Sequence, residues 1–323
     1  MRYLAHSDGF EDFLAQLNRV SQSIPEPALS ATPASTVQIV GLPRSGTTVL
    51  YQLLARTGAV GYPSNLMAFF HRAPWVGAVL QQRLTGSDPT ISLSSLAGRT
   101  PEPLDPHEFG YFWRRACGHS TNSLDQDLNP LRPADLQHDL DLVADVFGRP
   151  VVYKNFLALA HAPAMRRDLK RMLFISVERD PLDAAVSLLA LRSRLGVPDD
   201  QVFGTAPALF CPDPRDPITT VARQIALLTR QQATCGFAVN SDSIVIRYTD
   251  LVDQPRRVIS DLMDFLQCTT NRLNAVIPEK LPSGAGASRL PGDVPERLRK
   301  SIERTERELS HDGSEDAATE RTS

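Results

Sequence analysis

Residues 36–48 read TVQIVGLPRSGTT and carry the strongest structural signal in the chain. The β-branched run Thr36–Val40 is typical of a buried strand, and Gly41 ends it in a turn. The next segment, Thr47–Arg56, has the apolar spacing of a helix and stops near Gly58. This order of strand, glycine-rich turn and helix predicts an anion-binding loop, because the helix N-terminus carries partial positive charge and free amides.

The loop Gly41–Thr48 differs from the phosphate loop of enzymes that hydrolyse nucleoside triphosphates. That loop reads G-x-x-x-x-G-K-[ST]. Here Thr47 stands at the lysine position, and the cation has moved forward to Arg44. The change leaves the loop poorly suited to hold β- and γ-phosphates with magnesium. It remains suited to an anion bound without metal, with hydroxyl donors at Thr47 and Thr48.

Strand and helix patterns alternate along the rest of the chain. Asp180 as N-cap with Pro181 at the first helical position is a strong helix-start signal. The alternation predicts an α/β fold: a single P-loop-type domain with a central parallel β-sheet flanked by helices. The predicted strands are Val151–Tyr153, Met172–Val177 and Ile244–Ile246, and the predicted helices are Leu182–Arg194, Ile218–Thr234 and Pro255–Leu266.

Composition divides the chain into three parts, the second of which contains an insertion. Residues 1–35 are predicted to be a short amphipathic helix and a linker, followed by the main domain at 36–309. Within it, 58–150 is proline-rich and aromatic, which indicates a helical and irregular insertion that builds an acceptor pocket. The polar, acidic tail 310–323 is predicted to be disordered.

The bulk composition excludes several classes of protein. A net charge of −3 over 323 residues gives no overall attraction to nucleic acid. The four cysteines form no C-x-x-C pair, so we expect neither a disulfide framework nor a zinc site. The N-terminus does not resemble a signal peptide, and no apolar run is long enough to span a bilayer. We therefore expect a cytoplasmic protein, with its oligomeric state open.

Two motifs resemble those of one enzyme family. The stretch GLPRSGTT at 41–48 resembles the 5′-phosphosulfate loop of sulfotransferases, P-[KR]-[ST]-G-[ST]-[ST]. The stretch FISVERDPLDAAVS at 174–187 resembles their 3′-phosphate motif, a strand ending in R-[DN]-P followed by a helix with a serine eight residues after the arginine. The resemblance implies a soluble bacterial enzyme that uses 3′-phosphoadenosine 5′-phosphosulfate (PAPS) without metal. The implied donor-binding residues are Pro43, Arg44, Ser45, Gly46, Thr47, Thr48, Arg179 and Ser187.

Three further segments bear a weaker likeness to the family. Lys154 matches a strand-end lysine near the active site of many bacterial relatives, although an ordinary surface lysine is an equal alternative. The segment 247–251, RYTDL, resembles a largely architectural Y-E-D-L stretch, with threonine in place of glutamate. Arg289 could bind the 3′-phosphate from the loop 282–289, although the chain lacks the R-K-G-x-x-G-D-W loop of the animal cytosolic enzymes.

The general base is not fixed by these motifs. In one bacterial branch it is a glutamate shortly after the loop, but here Asn65 stands in that context and cannot accept the proton. Glu108 and His107 lie inside the aromatic segment 103–113, where a carboxylate could be basic near neutral pH. As candidates for the general base, we rank Glu108 first, then His107 and His71, with His119 last. The alternative is that Glu108 and His107 are polar residues at a helix start or on the surface.

The sequence therefore predicts a sulfotransferase that moves a sulfuryl group from PAPS to a hydroxyl of a small-molecule, lipid or glycan acceptor by in-line displacement. Two alternatives stay open: a P-loop nucleotide or small-molecule kinase, and a non-catalytic nucleotide-binding relative. Magnesium-dependent ATP turnover would indicate the first alternative. Binding of the product PAP without turnover on any acceptor would indicate the second. The acceptor itself is not identified by the sequence.

Overall fold

A central sheet of four parallel strands organises the protein. The computed structural model describes residues 9–85, 90–118, 132–207, 210–282 and 290–319, with backbone alone beyond residue 310. The strands lie in the order β2-β1-β3-β4. They are β1 (Thr36–Gly41), β2 (Val151–Lys154), β3 (Met172–Glu178) and β4 (Ser243–Arg247).

Helices connect and cover these strands. The described ranges contain α1 (Phe10–Ser21), α2 (Thr47–Arg56), α3 (Pro74–Thr85), α4 (Gly110–Ala116), α5 (Pro133–Phe147), α6 (Leu157–Asp168), α7 (Pro181–Leu195), α8 (Pro217–Thr234), α9 (Tyr248–Asp253), α10 (Pro255–Phe265), α11 (Leu273–Val276) and α12 (Val294–Thr319). A 3-10 helix covers Met67–Phe70. No helix in these ranges is both long and apolar enough to cross a membrane.

Both faces of the sheet are buried. Successive side chains of a strand point to opposite faces. Val37 and Ile39 of β1 accordingly pack in the apolar cluster that holds α2, α9 and α10. Val40 of β1 and Tyr153 of β2 pack in a second cluster, which includes α5 to α8 and α12. The predicted fold class, a parallel sheet flanked by helices, is confirmed.

The predicted elements differ from the observed ones mainly at their ends. Helix α1 covers the second half of the helix predicted at the N-terminus, and α2 has the predicted bounds. The segment 58–150 is helical and irregular where described, with a 3-10 helix and α3 to α5. Helix α12 continues to Thr319, into the segment for which the polar composition favoured disorder. The domain boundaries themselves stay predictions.

Candidate functional site

The carboxyl ends of all four strands meet at one edge of the sheet. The register pairs Ile39 with Lys154 and Gly41 with Val177, so the loop after β1 starts beside the ends of β2 and β3. Glu178 of β3 pairs with Arg247 of β4. Loops at this edge of a parallel sheet converge on one crevice, which is where such folds bind ligands.

Both glycines of the loop after β1 are required by close packing. A Cβ atom on Gly41 would lie 2.7 Å from Ser45 Oγ and 2.7 Å from the Val177 carbonyl oxygen. Gly46 has φ 94°, and a Cβ there would lie 2.7 Å from Cδ2 of Tyr248. Helix α2 begins directly after Gly46 and points its N-terminus into the loop. The loop therefore has the geometry that binds anions at a helix start.

Two arginines meet beside this loop. Arg179 donates from Nη1 to the Arg44 carbonyl oxygen at 2.6 Å, and Arg44 donates from Nε to Ser187 Oγ at 3.1 Å. Partial burial, then the charge of Arg179, lowers the pKa of the Arg44 guanidinium. Neither arginine forms an ion pair with a carboxylate in the described part of the chain. Two neighbouring cations without a counterion form a site for an anion.

Two buried polar atoms of this cluster lack a partner among the described residues. Ser45 is fully buried, and its Oγ makes no hydrogen bond there. Nε of Arg179 is also buried without an acceptor. Unsatisfied buried donors are rare in folded proteins, and a bound ligand is one of the usual reasons for them.

The start of helix α7 fixes the position of Arg179. Asp180 is the N-cap and accepts a hydrogen bond from the Asp183 N–H at 3.0 Å, and Pro181 occupies the first turn. The predicted helix start is confirmed. Because the cap holds the strand-to-helix turn, Arg179 stands at the sheet edge, and Ser187 reaches the same cluster from about two turns into the helix.

Tyr248 belongs to this cluster, although the segment 247–251 was expected to be largely architectural. Its ring packs against Gly46, and Cζ of Arg179 lies 4.2 Å from the ring centroid. An arginine over an aromatic face is held by cation–π attraction. The only local signal for this residue was its place at the end of a strand, where side chains reach the crevice.

A buried ion pair lies at the end of β2. Lys154 Nζ contacts Glu108 Oε1, and the two side chains are 3% and 27% exposed. The Lys154 ammonium also lies 4.3 Å from the centroid of the Phe156 ring. Asn155 donates from Nδ2 to the Glu108 carbonyl oxygen at 2.9 Å, which holds the backbone at this point. Lys154 is thus a buried partner of Glu108 and not a surface lysine.

The geometry of His107 does not fit a general base. Its Nδ1 accepts a hydrogen bond from the Phe109 N–H at 2.8 Å, so the neutral ring carries its proton on Nε2. Burial, followed by the charges of Arg99 and Lys154, lowers the pKa of His107 to about 4. The ring is therefore neutral at physiological pH, with its acceptor nitrogen already used by the backbone.

His71 lies near the N-terminal helix. Its ring stacks on Tyr111 at 5.2 Å between ring centroids, and the Tyr111 hydroxyl donates to the Glu11 carboxylate. Burial, followed by the charge of Arg72, lowers the pKa of His71 to about 4. Within the described ranges, no recorded contact of His71 reaches the loop after β1 or Glu108. Of the three ranked candidates that lie in the described residues, the structure brings only Glu108 into contact with a charged partner at the sheet edge.

Asn65, which cannot act as a base, has a structural role. Asn65 donates from Nδ2 to Thr100 Oγ1 at 3.0 Å and to the Glu102 carbonyl oxygen at 2.7 Å, so it anchors a loop. Arg289 and His119 lie outside the described residues. In the described ranges, no three or more His, Cys, Asp or Glu side chains are grouped as a metal site would require.

Comparison with solved structures gives the same fold. The sulfotransferase STF1 from Mycobacterium tuberculosis H37Rv is 14% identical, with a TM-score of 0.50 over 91% of this chain and 82% of that chain. The sulfotransferase STF9 from Mycobacterium avium is 12% identical, with a TM-score of 0.47 over 91% of this chain and 72% of that chain. At 14% identity the likeness to STF1 concerns the fold alone, and the TM-score of the STF9 match is too low to add to it.

The family assignment rests on the sequence model. No curated protein matches the chain. The model described as the sulfotransferase family matches residues 36–272, from the first residue of β1 to the segment before α11. This match covers well over half of the 323 residues and includes the arginine cluster and the Glu108–Lys154 pair. The chain belongs to the sulfotransferase family.

Proposed function

We propose that this chain transfers the sulfuryl group of PAPS to a hydroxyl of a small-molecule, lipid or glycan acceptor. The observation that carries the proposal is the cluster of Arg44, Arg179 and Ser187. Its two arginines are in contact, and neither guanidinium has a carboxylate partner among the described residues, so a polyanionic ligand would supply the missing negative charge. Thr47 in place of a lysine argues against magnesium–ATP as that ligand.

The donor-binding residues would divide between the two ends of PAPS. Residues 43–48 would hold the 5′-phosphosulfate on backbone amides and hydroxyls, and the unpartnered Ser45 Oγ fits this role. Arg179 and Ser187 would bind the 3′-phosphate, with Nε of Arg179 as a free donor. Arg289 stays a candidate for the same phosphate.

The acceptor side of the reaction would depend on Glu108. Bound PAPS would supply the sulfuryl group. As the acceptor oxygen forms its bond to sulfur, the bond between sulfur and the 5′-phosphate oxygen would break, and the electron pair of that bond would stay on PAP. Glu108 would take the hydroxyl proton, because its carboxylate is partly exposed and is held at the sheet edge by its contact with Lys154. Arg44 would stabilise the charge that develops on the leaving oxygen.

Ligand-induced stabilisation tests the donor assignment. A ligand that binds only the native state raises the melting temperature by mass action. We expect PAP and PAPS to raise it in the presence of a chelator, while ATP with magnesium does not. A shift seen only with ATP and magnesium would favour a kinase and overturn the proposal.

Measurements of kcat test whether Glu108 is the general base. With radiolabelled PAPS and a panel of hydroxyl acceptors read by mass spectrometry, we expect Glu108→Gln to lower kcat by about 10²–10⁴-fold with PAP affinity near wild type. Glu102→Gln is the matched control, since this carboxylate is exposed in the same segment. PAP binding without turnover by the wild-type protein on any acceptor would instead indicate a non-catalytic relative.

A further inference from the structure

A two-residue turn covers the Glu108–Lys154 pair. The Leu96 N–H donates to the Arg99 carbonyl oxygen at 2.9 Å, and the Arg99 N–H donates to the Leu96 carbonyl oxygen at 3.0 Å. The central residues, Ala97 and Gly98, have φ values of 55° and 85°. Both are therefore left-handed, as in the tight turns of type I′. Alanine rarely adopts this conformation, so the surrounding structure holds the turn in place.

The turn touches Glu108 at one carboxylate oxygen. A Cβ atom on Gly98 would lie 2.7 Å from Glu108 Oε1 and 3.5 Å from Lys154 Nζ. No side chain fits at that distance unless the carboxylate moves. Gly98 therefore closes the side of Oε1 that Lys154 leaves open.

The two carboxylate oxygens of Glu108 are consequently not equivalent. Oε1 contacts Lys154 and is covered by Gly98, whereas Oε2 has no hydrogen bond to any described residue. The side chain is 27% exposed, so a ligand can approach it. Among the described residues, the neighbouring titratable groups include His107, which is next to it in the chain and is affected by the charge of Arg99 in the turn, and Tyr51 of α2, whose pKa Glu108 helps to raise.

We propose that the Leu96–Arg99 turn positions Glu108 so that Oε1 stays on Lys154 and Oε2 receives the proton of the acceptor hydroxyl. Gly98 is then a positioning residue that acts through Glu108. The inference rests on the proposed function, because it specifies which atom of the proposed base reacts. In the transfer, the hydroxyl proton moves to Oε2 and the acceptor oxygen forms the bond to sulfur. The bond to PAP breaks, and Lys154 keeps its contact with Oε1.

The experiment compares Gly98→Ala with Gly148→Ala. Gly148 has φ 61°, and a Cβ there would meet nothing within 4 Å, so this control adds the same backbone strain without a clash. At saturating PAPS with the best acceptor of the panel, we expect Gly98→Ala to lower kcat roughly 10- to 100-fold. PAP affinity should not change.

A double-mutant cycle with Lys154→Met separates positioning from general damage. If Gly98 acts through the pair, Gly98→Ala should change kcat by less than about threefold in the Lys154→Met background. Should Gly98→Ala fail to fold, a glycine inserted between Ala97 and Gly98 displaces the turn without adding a side chain and should produce the same decrease in kcat with unchanged PAP affinity.

The possible results distinguish a failure of this inference from a failure of the proposed function. Kinetics of Gly98→Ala that match Gly148→Ala, or additive effects of Gly98→Ala and Lys154→Met, would overturn the inference while leaving the proposed function intact. A wild-type protein that transfers no sulfuryl group to any acceptor would overturn both.

Discussion

Replacing His107 with asparagine distinguishes a buried structural histidine from a catalytic base. The asparagine Oδ1 can take the place of Nδ1 and accept the hydrogen bond from the Phe109 N–H, but the side chain cannot take up a proton. In the wild-type protein, burial and then the charges of Arg99 and Lys154 lower the pKa of the imidazole to about 4. The variant therefore keeps the hydrogen bond from the Phe109 N–H and removes the titratable imidazole.

The sign and size of the effect follow from this pKa. The unfolded chain binds the proton near pH 6.5, whereas the folded protein binds it only near pH 4. The contribution of the neutral ring to stability is present above pH 6.5 and is lost as the pH falls towards 4. At about 1.4 kcal/mol per pH unit, the loss amounts to about 3 kcal/mol in the free energy of unfolding.

Urea unfolding of wild type and His107→Asn, from about pH 7.5 to about pH 4.5, measures this loss. We expect the wild type to lose about 2.5 kcal/mol more than the variant over this window, which ends just above the folded-state pKa, and kcat at neutral pH to stay within about threefold. Parallel stability profiles would refute the argument from burial. A collapse of turnover in the variant would make His107, and not Glu108, the base.

Three further predictions concern the arginine cluster. Arg179→Ala should lower the affinity for PAP about ten- to a hundredfold and the affinity for adenosine 5′-phosphosulfate far less, as measured by calorimetric titration. Arg223→Ala, at an exposed position, is the control. An equal loss of affinity for both ligands would mean that Arg179 does not contact the 3′-phosphate. Tyr248→Leu should lower the affinity for PAP roughly threefold to tenfold, while Tyr248→Phe, which keeps the ring under Arg179, should bind PAP as the wild type does. Identical PAP affinities for the two variants would exclude a role for the ring. Asp180→Ala removes the N-cap hydrogen bond to Asp183 and should lower the free energy of unfolding by about 1 kcal/mol in urea; an unchanged value would show that the cap is dispensable.

Local sequence patterns were enough to predict much of the fold. The strand at Thr36 and the helix after Gly46 follow from β-branched and apolar spacing, and the start of α7 follows from Asp180 and Pro181. These signals work because capping, turn formation and burial of one face depend on residues close together in the chain. The order of Arg44, Arg179 and Ser187 likewise predicted that they belong to one site, and the structure brings them into contact. Their roles in binding remain predictions.

The sequence by itself determined the four strands, helices α2, α7, α8 and α10 and the glycine-rich turn after β1, since each depends on neighbours within a few residues. Only the tertiary structure decided which polar atoms remain available for chemistry. Tyr248 meets Gly46, Lys154 meets Glu108 and Gly98 covers that pair through contacts between distant segments. The state of His107 depends in the same way on burial and on charges that the fold brings near it. Desolvation and charge–charge interaction act through distance in space, which the linear order of residues does not contain.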